Sequence, residues 1–175
     1  YFYKDGVEVI GDQKTLSLKA TKDGASFGLA TPVYADFFIS LTVPKAMNSF
    51  SQIKITVQDS KSINEKLVMY ITKGDDETKD KSAIVVAGKN KEMAGSFYEL
   101  SSTPFVLEYK NDTFLLRDYY ENQIDLIKEI DGVAWKGFTS NLVYVKFEFI
   151  GVNGDAVINL NKINNQSFNG NIKAS

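Results

Sequence analysis

The chain has 175 residues, enough for one domain that folds around its own apolar core without a metal or a disulfide. Its 20 basic and 22 acidic residues leave a formal charge of -2, so neither nucleic acid nor an anionic membrane is an expected partner. Cysteine and histidine are absent, which excludes thiolate and imidazole catalysis and the usual zinc sites.

Short alternating runs separated by turn residues predict β-strands along most of the chain. Aromatic residues, which pack well on a pleated sheet, make up 13% of the sequence. The first run crosses Asp5-Gly6, a pair typical of a two-residue turn, so residues 1–13 are predicted to form an N-terminal hairpin or an edge strand. Every second residue is then apolar from Leu16 to Ala20, Phe37 to Val43, Ile53 to Val57 and Leu67 to Ile71.

One segment of the second half, residues 118–130, fits two structures equally well. Tyr120, Ile124 and Ile127 would share one stripe of a helix, whereas Ile124, Leu126 and Ile130 would share one face of a strand. The run before it, "FVLEYKNDTFLLRD", predicts two strands that form a hairpin.

The end of the chain again predicts strands. Residues 143–149 alternate, Asn153-Gly154 is expected to turn the chain, and residues 156–160 alternate after it. Residues 169–175 are polar and are interpreted as a linker or tail. The pattern predicts a single domain, residues 1–175, with an all-β fold: a two-sheet antiparallel jelly-roll β-sandwich of about a dozen strands with at most one short helix.

Four stretches carry a resemblance to a known superfamily: "FFISLTVP", "IKITVQDSKSINEKLVMYITK", "FVLEYKNDTFLLRD" and "GFTSNLVYVKFEFIGVNGDAVINLNKINNQSF". They resemble the concanavalin A-like, or laminin-G-like, jelly-roll superfamily, as in lectin-like modules of surface proteins from Gram-positive bacteria. The resemblance covers about residues 14 to 168. It implies sugar or protein binding outside the cell.

Some members of that superfamily are retaining glycosidases with three acids alternating on one strand. The nearest match here is "EIDGVAW", in which Glu129 and Asp131 would share a strand face and the third acid is replaced by Val133 or Ala134. Retention of configuration needs a nucleophile and a separate acid. The set is therefore incomplete, and we expect no enzyme activity and no catalytic residues.

Sugar-binding sites combine flat aromatic rings with amide or carboxylate groups. Trp135, the one tryptophan, follows a turn and is the first candidate, although it could instead cap the core beside Phe138. Tyr119 and Tyr120 with the neighbouring Asn122 form the second candidate. These four residues are the predicted ligand-binding set, and each is weighed against a simple packing role.

Calcium is common in the resembled superfamily and needs a cluster of oxygen ligands. Two acidic loops offer such groups, although loop acids mostly serve solvation; they hold Asp59, Ser60, Asn64 and Glu65 in one and Asp75, Asp76, Glu77 and Asp80 in the other. No cofactor is expected and no metal site is assigned, and calcium binding is the one alternative left open. The amides Asn161, Asn164, Asn165 and Gln166 are expected to satisfy backbone groups rather than to bind sugar.

The sequence therefore favours a non-catalytic, extracellular or cell-surface module of a larger exported bacterial protein. Its expected partner is a glycan or polysaccharide, or else a surface protein, together with other domains of the same polypeptide. No stretch approaches the roughly 20 apolar residues of a membrane span, so no membrane insertion is expected. A structural or adhesive module is the alternative, and a carboxylate-dependent glycoside hydrolase is the third hypothesis.

Overall fold

The structure is a computed structural model of the chain. It describes residues 2–11, 16–43, 49–63, 66–72, 82–86, 89–93, 105–110, 113–117, 123–127, 129–130, 133–134, 138–164 and 166–167.

The described residues form β-strands joined by turns and loops. In chain order the strands are β1 (Phe2–Asp5), β2 (Val7–Gly11), β3 (Leu16–Ala20), β4 (Ser26–Leu29), β5 (Val33–Tyr34), β6 (Phe38–Thr42), β7 (Gln52–Asp59), β8 (Lys66–Thr72), β9 (Ser82–Val86), β10 (Lys89–Met93), β11 (Phe105–Lys110), β12 (Thr113–Arg117), β13 (Gln123–Ile127), β14 (Glu129–Ile130), β15 (Val133–Ala134), β16 (Leu142–Ile150), β17 (Val157–Ile163) and β18 (Gln166–Ser167).

Two antiparallel sheets form a sandwich. The smaller sheet has the strand order β1-β4-β16-β7-β8, with β5 also paired to β16. The larger sheet has the order β13-β12-β11-β6-β17-β3-β2, with β18 paired to β17. Strands β9 and β10 pair with each other, as do β14 and β15. The predicted all-β jelly-roll sandwich is confirmed.

One apolar core lies between the two sheets, and it consists largely of the residues whose alternation was read from the sequence. The inward positions of β16 and β7 are fully buried in the smaller sheet, and those of β3, β6 and β17 are buried in the larger one. Pairs of rings fill the space between the layers: Phe2 stacks on Phe27 at 5.0 Å, and Phe50 meets Phe149 edge-on at 6.4 Å. The outward positions are left for polar side chains.

Two turns predicted from Gly-containing pairs carry the chain from one sheet to the other. The Asp5-Gly6 turn joins β1 of the smaller sheet to β2 of the larger one, so the hairpin alternative for residues 1–13 is wrong, and β1 and β2 are instead edge strands of their sheets. Asn153-Gly154 likewise lies between β16 and β17, which belong to different sheets. A turn sequence reverses the chain locally, but the packing of both faces decides which strand becomes the neighbour.

The ambiguous segment is a strand where it is described. Residues Gln123–Ile127 form β13, which pairs antiparallel with β12, and residues 118–122 lie outside the described part of the chain. The predicted hairpin between β11 and β12 is confirmed. Among the described residues, no helix is long and apolar enough to cross a membrane.

Candidate ligand-binding face

The four residues predicted to bind ligand, Trp135, Tyr119, Tyr120 and Asn122, lie outside the described residues. Their role stays a prediction. The interpretation of the two acids of the incomplete glycosidase pattern stays a prediction as well. Glu129 belongs to β14, of which the backbone is described, and Asp131 lies outside the described residues.

Phe138, which follows Trp135 closely in the sequence, is a packing residue. It is half-buried against the core, and its ring meets that of Tyr109 edge-on at 5.9 Å. Tyr109 in turn stacks on Phe37 at 5.7 Å. The chain therefore enters its closing strands over a cluster of three rings.

The loop after β7, one of the two possible calcium loops, uses its first acid to hold backbone. Asp59 is buried, and its Oδ1 accepts hydrogen bonds from the N–H groups of Lys61 and Ser62 at 2.8 and 2.9 Å. Its Oδ2 accepts one from Ser140 N–H at 2.7 Å, which joins this loop to the segment before β16.

Most of the other side chains that were named as calcium ligands are not described in the structure. Asn64, Glu65 and the second loop, residues 75–80, lie outside the described residues. Within the described ranges, no group of three or more acidic side chains is placed to hold a metal ion.

A shallow recess lies where the chain passes from β5 of the smaller sheet to β6 of the larger one. Its volume is about 250 Å³, and it is lined by Tyr34, Asp36, Phe38, Lys162 and Asn164; we call it the Tyr34 recess. Among the described residues, Tyr34 is the most exposed large apolar side chain, with 74% of the residue surface accessible. Two rings, one carboxylate, one ammonium and one amide thus share a single hollow.

Asn164 holds this recess together. Its backbone N–H donates to the carbonyl of Phe38 at 2.7 Å, and its Oδ1 accepts from the Phe38 N–H at 2.8 Å. Its Nδ2 donates to the Tyr34 carbonyl at 3.4 Å. The residue has a φ of 52°, a left-handed conformation that asparagine tolerates better than most residues. The expectation that Asn164 satisfies backbone groups is confirmed.

A β-bulge in β17 adds polar groups to the outer face of the larger sheet. The register with β6 shifts there, which places Asn161 and Lys162 in succession on one side. The Asn161 amide donates to the Thr42 hydroxyl at 3.2 Å, and the Ser17 hydroxyl donates to Asn159 Oδ1 at 2.8 Å. Hydroxyl and amide groups therefore continue from the recess across β6, β17 and β3.

An ion pair borders the recess on the side of Phe38 that faces away from Asn164. Glu108 of β11 stands directly across from Phe38 of β6, and Arg117 of β12 binds the Glu108 carboxylate through Nη2. The Arg117 guanidinium also lies over the Phe38 ring, 5.9 Å from its centre. The two charged side chains are only 20% and 23% exposed.

Sequence reasoning did not select these residues as a site. Tyr34 and Phe38 stand in "PVYADFF", where the alternation placed Phe37 on the apolar face of a strand and gave Tyr34 no role. Arg117 is the one arginine of the chain, which by itself assigns it no role. The signal that unites them is spatial, because Tyr34, Glu108 and Lys162 are separated by more than fifty residues in the chain.

Comparison with known proteins gives structural likeness without sequence likeness. No protein-family model matches the chain, and no curated protein matches it in sequence. The apo Crh5 transglycosylase is similar in structure with a TM-score of 0.58, at 8% identity over 95% of this chain and 85% of that one. A GH16 protein of the Bacteroides ovatus mixed linkage glucan PUL, in complex with a G4G4G3G product, has a TM-score of 0.54 at 10% identity, over 90% and 84%.

A lectin shows the same likeness. The Lotus tetragonolobus seed lectin has a TM-score of 0.52 at 15% identity, over 100% of this chain and 99% of that one. At such identities the likeness shows the fold and nothing further. The chain has the concanavalin A-like jelly-roll fold, which the resemblance in its sequence had indicated and which lectins and glycosidases share.

Proposed function

We propose that this chain is a non-catalytic carbohydrate-binding module. The Tyr34 recess carries the proposal, because it combines an exposed ring with the polar groups that sugar hydroxyls require. The CH faces of a pyranose ring pack on a flat aromatic side chain, and carboxylate, ammonium and amide groups bind its hydroxyls. In this proposal Tyr34 forms the platform, and Asp36 and Lys162 supply the polar contacts.

The proposal includes the setting inferred from the sequence. We place the module at the cell surface or outside the cell, as one domain of a larger exported bacterial protein that uses it to attach to a polysaccharide. Two structurally similar proteins support a sugar ligand, since one is a lectin and the other is in complex with a G4G4G3G product.

Binding without catalysis is part of the same proposal. The sequence has no histidine or cysteine, and its nearest match to a glycosidase acid pattern lacks the third acid. The third hypothesis, a carboxylate-dependent glycoside hydrolase, predicts that oligosaccharide products accumulate when the protein is incubated with a bound polymer. If products appear and Glu129→Gln abolishes them, the non-catalytic proposal is wrong.

The test of binding compares two exposed tyrosines. Tyr34→Ala removes the ring at the recess, and Tyr144→Ala removes a ring that is 36% exposed on the outer face of the smaller sheet. Affinity electrophoresis and calorimetric titration against a panel of plant, fungal and bacterial polysaccharides would measure both. We expect Tyr34→Ala to weaken binding about tenfold or more and Tyr144→Ala to leave it unchanged.

Three results of this panel would count against the proposal or redirect it. If the wild-type protein retains no polysaccharide, the carbohydrate-binding function is refuted and the structural or adhesive alternative takes its place. If binding is lost in Tyr144→Ala and kept in Tyr34→Ala, the ligand lies on the smaller sheet. If neither substitution weakens binding, the site includes residues outside the described part of the chain, with Trp135→Ala as the next variant.

A further inference from the structure

The Tyr34 recess does not end at Phe38. Because Glu108 pairs with Phe38 across β6 and β11, its side chain stands next to the recess on the same outer face. Asn164, on the other side of Phe38, is separated from Glu108 by two strand spacings, about 10 Å. The recess and Glu108 together thus form one surface that is wide enough for a short stretch of a sugar chain.

Arg117 determines how Glu108 is presented on this surface. Arg117 pairs with Val106 across β11 and β12, so it reaches Glu108 diagonally, two positions along β11. Its guanidinium plane also packs over Phe38, which limits the rotamers open to both charged side chains. A carboxylate has about four acceptor positions, and the bond to Nη2 uses one, so Glu108 keeps acceptors for ligand hydroxyls.

The arginine itself has an unused donor. The Nε of Arg117 is buried and has no hydrogen-bond partner among the described residues. A buried N–H group without a partner is costly, and such groups in native proteins generally have a functional or solvent-related explanation. The ion pair between Arg117 and Glu108 therefore carries a free-energy cost that is unusual for the surface of a sheet, and this surface has no other arginine.

We propose that Glu108 is a specificity-determining residue of the carbohydrate site, that Arg117 positions it, and that the ligand is a neutral glycan recognised through its hydroxyl groups. The inference rests on the proposed carbohydrate-binding function. Glu108 accepts hydrogen bonds from hydroxyls of the sugar unit next to the one that packs on Tyr34. Arg117 acts by holding the Glu108 carboxylate in place, and Glu108 makes the contacts with the ligand.

The balance of charge on this surface argues for a neutral ligand. Glu108 is offset by Arg117, and the recess holds one acid and one base, Asp36 and Lys162. Among the described residues that line the recess or border it, no excess of positive charge is available for uronate or sulfate groups. A polyanion would also bring its charge close to two carboxylates, which is unfavourable at short range.

The experiment uses the full chain and polymers of both kinds. Mixed-linkage glucan, xylan and galactomannan are the neutral probes, and polygalacturonate and alginate are the anionic ones. We expect the wild-type protein to bind at least one neutral polymer with little dependence on salt and to ignore both polyanions. Binding that requires a polyanion and weakens steeply with salt would overturn the neutral-ligand inference while leaving the carbohydrate-binding function intact.

Variants of the ion pair test the roles of the two residues. Glu108→Gln keeps the size of the side chain and is expected to weaken binding about tenfold. Arg117→Met should weaken binding in the wild-type background and add little once Glu108 is already glutamine, because Arg117 acts through Glu108. Arg117→Lys should keep part of the binding affinity that Arg117→Met loses. Equal losses in both backgrounds would refute the positioning role.

The matched control is the ion pair between Lys19, which lies in β3 of the same sheet, and Asp155. The distance from Lys19 Nζ to Asp155 Oδ1 is 3.7 Å. Asp155→Asn should leave binding unchanged, and thermal unfolding of each variant separates a folding defect from a binding defect. If Glu108→Gln folds and binds like the wild type while Tyr34→Ala does not bind, the role of Glu108 is refuted and the proposed function stands. If no polymer binds the wild-type protein, the proposed function itself fails.

Discussion

Replacing Asp59 tests whether the loops at one end of the sandwich are held by a single buried carboxylate. Asp59 is 1% exposed and accepts hydrogen bonds from three backbone N–H groups, those of Lys61, Ser62 and Ser140, at 2.7 to 2.9 Å. The first two bonds close the turn after β7, and the third joins that turn to the chain before β16. Asp59→Ala removes all three bonds at once.

The size of the effect follows from the number and kind of these bonds. A hydrogen bond to a charged group contributes about 1.5–3 kcal/mol, and water can replace part of this at a half-buried loop. Three bonds at the lower end of that range amount to about 4.5 kcal/mol, and because water replaces part of this we expect a loss of about 3–4 kcal/mol in the free energy of unfolding. Asp59→Asn keeps one acceptor oxygen but turns an amide N–H toward a backbone donor, so we expect about half that loss.

Urea unfolding followed by circular dichroism would measure both variants, with the exposed Asp155→Asn as the control. Its ion pair with Lys19 is solvent-exposed and should contribute no more than about 1 kcal/mol. The order of stability should be wild type, Asp59→Asn, Asp59→Ala, both in EDTA and with added calcium. A loss below about 1 kcal/mol would refute the backbone-holding role, and a loss seen only with calcium would identify Asp59 as a metal ligand instead.

Two further predictions concern groups whose pKa the fold displaces. Tyr3 packs over Gly28, where any Cβ would collide with the tyrosine ring, and burial raises the pKa of the Tyr3 hydroxyl. In Gly28→Ala the ring should move into solvent, and the pKa of the Tyr3 hydroxyl should fall toward its ordinary value. This pKa is measured by difference absorbance titration against Tyr3→Phe, in the wild-type and the Gly28→Ala backgrounds. An unchanged midpoint would contradict the packing of Tyr3 over Gly28. The backbone N–H groups of Val152 and Gly151 donate to the Asp23 carboxylate and lower its pKa. The contribution of Asp23 to stability is therefore complete above the pKa of the unfolded state, about 4, and is lost as the pH falls through the pKa of the folded state. The stability advantage of the wild type over Asp23→Asn should therefore shrink in acid, and a constant difference down to pH about 2 would refute this linkage.

The faces of the strands could be predicted from the sequence because burial imposes a period of two on a strand. Ile53, Ile55 and Ile71 alternate with polar residues, and each of them is buried in the structure. Phe147 and Phe149 follow the same rule at the centre of the smaller sheet. The segment 118–130 could not be assigned in this way, since its apolar residues satisfy both the helical and the strand period.

The neighbours of the strands were less predictable, because a turn sequence specifies a local reversal and not a partner. Asp5-Gly6 was interpreted as a hairpin, yet the chain there crosses between the sheets. Gly6 has a φ of 67°, so the residue serves the conformation that the turn signal indicated. The sheet that each flanking strand joins depends on contacts with β3 and β4, which lie elsewhere in the sequence.

The candidate site shows the same division. Composition alone excluded thiol and imidazole chemistry, and aromatic residues beside amides suggested a sugar ligand, but the rings chosen from the sequence were Trp135, Tyr119 and Tyr120. The Tyr34 recess could not be found in this way. Each of its residues is ordinary in its own segment, and the side chains become a site only when β5, β6 and β17 meet.

By itself, then, the amino-acid sequence determined most of the strand content, the buried faces of alternating strands such as β7 and β16, and the classes of chemistry that are excluded. Those properties follow from residue type and from spacing along the chain, which are local. The tertiary structure decided which strands are neighbours, which turns cross between sheets and which polar residues share a surface. These depend on contacts between distant segments, such as Asn164 with Phe38 and Glu108 with Arg117, that no local pattern encodes.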